Sequence, residues 1–322
     1  MTLAFYDAPA VAALLDLPGC IATMRDAMIT LSADPRSQPL RQIFGVGDGG
    51  MFGVMPGALA DRSGQPADFG AKLVSVFSEA AGRSRHQGLV VVFDPVNGAV
   101  RCIADAEAVT GIRTACATAA ATDALARVDA TRLGVFGTGL QAEAHVRALC
   151  LVRPFEQVML WGRDYIKAQK VAASLSAELG RRVIAVADGQ AAAQADILCT
   201  ASGAAEPILL GAWIRPGAHV NLVGSSHLGP VEVDDALVVS SRYIVDYRPG
   251  ALAQASEFAA ARDAGLIDDD HIAAEIGDVF AGRAVGRRAA DDITVYKSLG
   301  HVVQDLAAVR YLHDRGFGTQ SH

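Results

Sequence analysis

The spacing of hydrophobic and polar positions changes character along the chain. Over residues 8–32, Val11, Leu14, Leu15, Ile21, Met24 and Met28 recur at helical intervals around a Pro18-Gly19 break, which predicts two helices. Between Pro39 and Ala104 the period shortens. Gln42-Ile43-Phe44, Met51–Met55, Gly70–Phe77 and Leu89–Phe93 are β-like runs parted by Gly, Pro and Asp, the texture of a mostly antiparallel sheet. Asp94-Pro95-Val96-Asn97-Gly98 predicts a hairpin between 89–93 and 99–104, because Asn-Gly tolerates positive φ. Residues 106–127 read as an alanine-rich helix whose small side chains allow close backbone packing, the bridge between two domains. Beyond it strands (132–136, 157–161, 183–186, 196–200, 218–223, 242–246) alternate with helices (140–152, 164–179, 190–194). Such alternation predicts a parallel sheet with right-handed crossovers. Residues 252–313 read as helices with Asp292–Gly300 between them, and the last, His301–Leu312, has no strand after it and is expected to pack back on the first domain.

Composition narrows the function classes. With 322 residues, 51% hydrophobic and 20% charged, the chain is long enough for two domains with separate cores, and a soluble globular protein is expected. The 28 Lys and Arg against 35 Asp and Glu give a formal charge of −7 without a basic run, so neither nucleic acid nor a membrane is an expected partner. Cys20, Cys102, Cys116, Cys150 and Cys199 lack CxxC or CxxH spacing, which opposes a zinc site or a disulfide framework and fits a reducing cytoplasm. The N-terminus has no basic start followed by an apolar core, and no uncharged apolar run reaches membrane-spanning length. His86, His145, His219, His227 and His301 show no HxxxH or HxH spacing, so no metal is expected, and most read as surface or capping residues. No GxSxG or Cys–His signature points to a covalent nucleophile.

Chemistry concentrates at strand ends. The run Leu133–Phe136 passes into Gly137-Thr138-Gly139-Leu140-Gln141-Ala142 and then helical spacing, the strand–turn–helix form of a dinucleotide-binding loop. Gly137 permits the tight turn, Gly139 lets backbone approach a pyrophosphate, Ala142 keeps helix close to strand, and the helix N-terminus offers unpaired N–H groups. Roughly 20 residues on, where an acid would grip the ribose of NAD, the chain reads Trp161-Gly162-Arg163-Asp164. With the acid absent, Arg163 and Lys167 suit a 2′-phosphate, so NADP(H) is favoured with NAD(H) possible. The plain alternative makes Arg163 a solvated helix-start residue and Asp164 an N-cap. Thr200-Ala201-Ser202-Gly203 and Val223-Gly224-Ser225-Ser226-His227 end two further strands on small polar residues, loops suited to the nicotinamide end, although Ser202 equally suits a turn. His227 is a candidate acid–base group. In the first half Arg41, Lys72 and Arg113 stand out. Lys72 lies inside an apolar strand, where an ammonium needs an anion, either a carboxylate substrate or an internal salt bridge, unless it snorkels at the strand edge.

In order along the chain, Met55-Pro56-Gly57-Ala58, Gly70-Ala71-Lys72, Gly111-Ile112-Arg113-Thr114-Ala115, the glycine loop, Val223-Gly224-Ser225, Glu275–Arg283 and Tyr296-Lys297-Ser298-Leu299-Gly300 resemble the ornithine cyclodeaminase/μ-crystallin family. The resemblance covers nearly the whole chain. It implies an α/β homodimer. An N-terminal α+β domain, 1–112 with 301–322 packing back, would hold substrate and dimer interface, and a Rossmann-type doubly wound parallel sheet over 113–300 would present its nicotinamide to that site. On this basis Arg41, Lys72 and Arg113 are the carboxylate-binding cations, with Arg113 orienting either the substrate carboxylate or the cofactor phosphates, while Thr114, Lys297 and Ser298 join the glycine loop, Gly162-Arg163, Thr200–Ser202 and Val223-Gly224 as cofactor contacts. Two departures from the cyclodeaminases matter: Ser226 stands where they resemble one another in an aspartate, and Lys297 where they tend to have Asp. Lys-Ser-Leu-Gly looks like the ketimine-reductase and alanine-dehydrogenase branches, and Gly162-Arg163 resembles the NADPH users. The resemblance therefore implies a reductase of cyclic or linear α-imino acids, such as pyrroline-2-carboxylate or piperideine-2-carboxylate, reversible as an amino-acid dehydrogenase. Lys72, His227 or a water held by Ser226 would protonate the imine. The alternatives are an ornithine or lysine cyclodeaminase and a non-catalytic NADP(H)-dependent small-ligand binding protein.

Overall fold

A computed structural model of the chain describes residues 3–34, 38–47, 49–61, 63–77 and 86–318. They divide into two compact units, Met1–Arg113 with His301–His322, and Thr114–Gly300.

The first unit is built on a six-stranded sheet. In chain order its elements are β1 (Ala4–Tyr6), α1 (Ala8–Leu14), α2 (Leu17–Ala33), β2 (Gln42–Gly45), β3 (Gly50–Ala60), β4 (Pro66–Phe77), β5 (His86–Phe93), β6 (Val100–Asp105) and the start of α3 (Ala106–Leu125). The sheet order is β1-β6-β5-β4-β3-β2, antiparallel from β2 to β6 as the short alternating runs predict. The hairpin after β5 closes at Asp94–Gly98, with Gly98 at φ +70°. Two features differ from expectation. The helix break falls at Leu15-Asp16, because the Asp16 carboxylate caps α2 by accepting from the Gly19 N–H at 2.8 Å, and Pro18 sits in the first turn, where its missing N–H costs nothing. β1 is an additional strand, parallel to β6, too short to show a period. The C-terminal helix, Val302–Gly318, packs on α2 and across β3, β4 and β5 and contributes Leu306, Val309 and Leu312 to this unit's core.

The second unit holds the remainder of α3, then β7 (Arg132–Phe136), α4 (Leu140–Val152), β8 (Gln157–Trp161), α5 (Tyr165–Leu179), β9 (Val183–Ala185), α6 (Gly189–Ala193), β10 (Ile197–Thr200), β11 (His219–Leu222), α7 (Asp235–Ser240), β12 (Arg242–Val245), α8 (Arg248–Gln254), α9 (Ser256–Asp263), β13 (Ile272–Glu275), α10 (Ile276–Phe280) and β14 (Thr294–Lys297). Eight strands, all paired in parallel, run β13-β12-β14-β11-β10-β7-β8-β9. This is the expected Rossmann-type doubly wound sheet. Its order reverses between β7 and β10, where open α/β sheets form a crevice beyond the strand carboxyl ends. β13 corrects the helical reading of the stretch before Asp292, and β14 is a further strand within the Asp292–Gly300 segment expected between the helices. β13, Ile-Ala-Ala-Glu, carries a single β-branched residue, and β14 is four residues long and ends on a lysine, so neither shows the apolar run of a buried strand.

Candidate functional site

In the first unit, β4 pairs with β3 and β5 so that Lys72 lies opposite Met55 and Val90, and its side chain is 7% exposed. Its ammonium donates to Thr110 Oγ1 at 2.5 Å and to Asp305 Oδ1 at 3.3 Å. Thr110 gives its own hydroxyl proton to the Ala106 carbonyl, leaving a lone pair for Lys72. One helical turn beyond Thr110, Arg113 donates Nε–H to Asp305 Oδ1 at 2.9 Å and Nη1–H to Gln304 Oε1 at 2.7 Å. The internal partner considered for Lys72 therefore exists, and it is Asp305. Yet this one carboxylate faces Lys72 and Arg113, with the half-buried Arg41 near enough to act on the same ammonium. The cluster keeps an excess of positive charge.

Burial pushes the Lys72 ammonium down to about 8; Asp305 opposes that shift, while Arg113 and Arg41 add to it. Burial acts to raise the Asp305 carboxyl, but Arg113 and Lys72 outweigh it and hold the group below the usual carboxylate range. His301, at the start of the C-terminal helix, is buried in the same cluster rather than exposed. Burial lowers it to about 4, with Asp305 opposing and Arg41 and Arg113 adding to the effect, so it is neutral at physiological pH.

In the second unit, α4 has Gly139 as its N-cap and no side-chain cap, so its first N–H groups have no acceptor from a capping residue. Gly137 has φ +142°, and a Cβ there would lie 2.4 Å from the Ala201 carbonyl oxygen. At Gly139 a Cβ would meet nothing within 4 Å, the open approach a phosphate needs. Leu140 is exposed and Ala142 fully buried. A Cβ at Gly162 would come within 2.6 Å of the Thr138 methyl, so any side chain there requires Thr138 to move. Asp164 does cap α5, accepting from the Lys167 N–H at 2.9 Å, while the Arg163 and Lys167 side chains are exposed. Gln141 offers its carbonyl to His145 Nδ1 at 2.6 Å, and His145 Nε2 lies 3.1 Å from Thr118 Oγ1. His145 is fully buried and burial lowers it to about 4; His219 is also buried, so the surface reading of these two fails. Thr114 is buried on α3, and His86 has no described side-chain environment.

The two loops at the carboxyl ends of β10 and β11 are joined by Glu232, which sequence reasoning missed. Its buried carboxylate accepts from Thr200 Oγ1 at 2.8 Å, Ser202 N at 2.8 Å, Ser202 Oγ at 2.7 Å and Gly224 N at 2.8 Å. A Cβ on Gly224 would sit 2.3 Å from Glu232 Oε1, so this approach requires glycine. The Thr200 and Ser202 hydroxyls are thus engaged within the protein, and what these residues, with Ala201, present outward is backbone shape.

Lys297 is also reassigned. Its side chain is fully buried, and its ammonium meets Glu257 Oε1 at 2.6 Å, the Ser225 carbonyl at 2.7 Å and Ser225 Oγ at 2.8 Å. The Tyr243 hydroxyl donates to the same Glu257 oxygen at 3.3 Å. All three ammonium hydrogens have partners here, so Lys297 supports the Val223–His227 loop and keeps no hydrogen for a cofactor. Val223 is buried, Ser226 half-buried and His227 exposed, with the His227 carbonyl accepting from Ser256 Oγ at 2.8 Å. Ser298 is buried with its hydroxyl unpartnered among the described residues. The open glycine loop, the uncapped α4 and this orphaned hydroxyl fit a dinucleotide. Among the described residues no group of three His, Cys, Asp or Glu is placed to hold a metal, and no helix is long and apolar enough to cross a membrane.

Known proteins resemble this chain over nearly its whole length. The family model described as ornithine cyclodeaminase/mu-crystallin family matches residues 10–320. Rat (Rattus norvegicus) ketimine reductase mu-crystallin is 33% identical over 280 residues, 86% of this chain and 84% of that protein. The Delta(1)-pyrroline-2-carboxylate reductase of Paracoccus denitrificans is 34% identical over 267 residues, 81% of this chain and 84% of its own length. The structure of Thermococcus litoralis Delta(1)-pyrroline-2-carboxylate reductase in complex with NADH and L-proline superposes with a TM-score of 0.92 at 28% identity, covering 99% of this chain and 98% of that one. The chain belongs to the ornithine cyclodeaminase/mu-crystallin family.

Proposed function

We propose that this protein is an NAD(P)H-dependent reductase of α-imino acids, cyclic ones such as pyrroline-2-carboxylate or piperideine-2-carboxylate included, and that it prefers NADP(H). The observation that carries the reading is the buried cluster in which Asp305 alone balances Lys72 and Arg113, with Arg41 close by. Such an excess of positive charge suits the carboxylate of a small acid. Arg113 has committed Nε and Nη1, which leaves Nη2 for one carboxylate oxygen; Arg41 supplies a second positive group. Lys72 has given two of its three hydrogens to Thr110 and Asp305, and the third is available to the substrate. With its pKa brought to about 8, Lys72 is protonated at neutral pH yet close to the point of release, as a donor to an imine nitrogen needs to be. A bound nicotinamide supplies the hydride that the imine carbon accepts. The proton from Lys72 completes the amine, and solvent restores the ammonium.

The preference for NADP(H) rests on Arg163 and Lys167, exposed at the start of α5, and on glycine standing at 162 where an acid would grip the ribose of NAD. A homodimer is part of the proposal. Phe5, Ile43, Phe44, Met51, Phe69 and Phe77, all on strands of the first unit, are exposed apolar side chains of the sort a partner copy would cover. The deciding assay follows NADPH oxidation with pyrroline-2-carboxylate, piperideine-2-carboxylate and pyruvate plus amines. Turnover with at least one imino acid is expected, and none with any of them would sink the reading. Ammonia release from ornithine without net cofactor change would identify a cyclodeaminase instead.

A further inference from the structure

Asp305 has no place in the sequence-derived site, yet it lies at the centre of the cation cluster. Its Oδ1 accepts from both Lys72 Nζ, at 3.3 Å, and Arg113 Nε, at 2.9 Å. Oδ2 is buried and has no hydrogen-bond partner among the described residues. Among the described residues, the hydrogen bonds of this carboxylate come from the two cations alone, both at Oδ1. The remaining ligands fix direction. Thr110 on α3 takes a second Lys72 hydrogen, and Gln304, the neighbour of Asp305 on the C-terminal helix, takes Arg113 Nη1.

We propose that Asp305 is the positioning residue for proton delivery, holding the Lys72 ammonium charged and aimed while turning Arg113 so that its Nη2 remains free for the substrate carboxylate. The inference rests on the reading of Lys72 as the proton donor. Asp305 does not touch the substrate and acts only through Lys72 and Arg113. The charged and titratable groups around Lys72 are Asp305 from the C-terminal helix, Arg113 from α3 and Arg41 from the segment before β2, with His301 beside Asp305 and neutral. Asp305 is the anion that acts on Lys72 among the described residues. Burial, Arg113 and Arg41 all push the Lys72 proton off, and Asp305 alone retains it. Without that charge, Lys72 is expected to release its proton at lower pH.

The test uses the full-length protein and the Asp305→Asn and Asp305→Glu variants. The pH profile of kcat/KM for imino-acid reduction is measured between pH 6 and 10, and NADPH binding is followed by fluorescence as a check that the second unit is intact. In wild type the alkaline limb is expected near the Lys72 value of about 8. In Asp305→Asn it should move down by about one unit or more, with kcat at pH 8 falling at least tenfold and KM rising. Asp305→Glu, which keeps the charge on a longer arm, should leave the limb near its wild-type position while lowering kcat. A limb that stays put in Asp305→Asn, or that moves equally in Asp305→Glu, overturns the proposal. The pH dependence of Lys72 acylation, read by peptide mass spectrometry, reports the same pair without turnover. If the wild type reduces no imino acid but the acylation midpoint drops in Asp305→Asn, the proposed reaction fails while the ion-pair role of Asp305 stands. An unchanged midpoint removes that role whatever the reaction.

Discussion

Lys72 is asked both to bind and to protonate, and two substitutions separate those tasks. Lys72→Ala removes the ammonium and leaves Asp305 less well balanced, so kcat/KM for the imino acid should fall by roughly 10²–10⁴ while NADPH affinity is unchanged. Lys72→Arg keeps a positive charge but cannot release a proton near neutrality, so kcat should fall by far more than KM rises; steady-state kinetics reads the split. At the cofactor, Arg163→Ala should raise the KM for NADPH about tenfold and leave that for NADH within about twofold, since only the 2′-phosphate loses a partner. Equal effects on both cofactors would place the 2′-phosphate elsewhere. At this scale the sequence was informative wherever a residue contradicted its surroundings. A lysine within an apolar strand or two glycines at a strand end can be recognised from immediate neighbours. Asp305, Glu232 and Glu257 cannot, because their partners Lys72, Thr200 and Lys297 lie far away in the chain and an acid in a loop or helix looks ordinary.

Elements transmit these choices to the loops. Lys297 ends β14, Glu257 lies in the first turn of α9, Tyr243 is in β12 and Ser225 follows β11, so one buried ion pair ties four segments beneath the loop that carries Ser226 and His227. Lys297→Met leaves Glu257 buried without its cation and should cost about 3–5 kcal/mol in urea unfolding. Lys297→Met combined with Glu257→Leu should recover a substantial part of that loss, and a double-mutant cycle without coupling would show that the pair does not act as a unit. The helices and the antiparallel strands of the first unit were legible because their periods persist over many residues. β1, β13 and β14 were not, since three or four residues contain no period, and β14, inside a parallel sheet, has no polar face to alternate with. The expected helix break at Pro18-Gly19 misplaced the signal by three residues because proline is compatible with the first turn of a helix.

Across the whole molecule, buried neutral histidines couple stability to pH. An unfolded chain protonates His145 and His219 near 6.5, whereas burial delays this to about 4 and about 3 in the folded protein. Between those values the unfolded state binds more protons, so stability is retained above pH 6.5 and falls as the pH drops toward 4, by about 3 kcal/mol from His145 alone. Urea midpoints measured from pH 7.5 to 4.5 should decline accordingly, and His145→Gln should flatten the slope; a slope unchanged by that variant would assign the effect to other groups. The sequence by itself determined the alternation that makes a doubly wound sheet, the glycine loop at the first strand end, and the need for an anion beside Lys72. These are local properties, set by period, backbone freedom and the cost of burying a charge. Only the tertiary structure decided that Asp305 is that anion, that Glu232 takes up the Thr200 and Ser202 hydroxyls, and that Lys297 belongs to the scaffold. Each depends on which distant carboxylate folding brings within about 3 Å, and a pairing between distant segments leaves no mark on the local pattern of either.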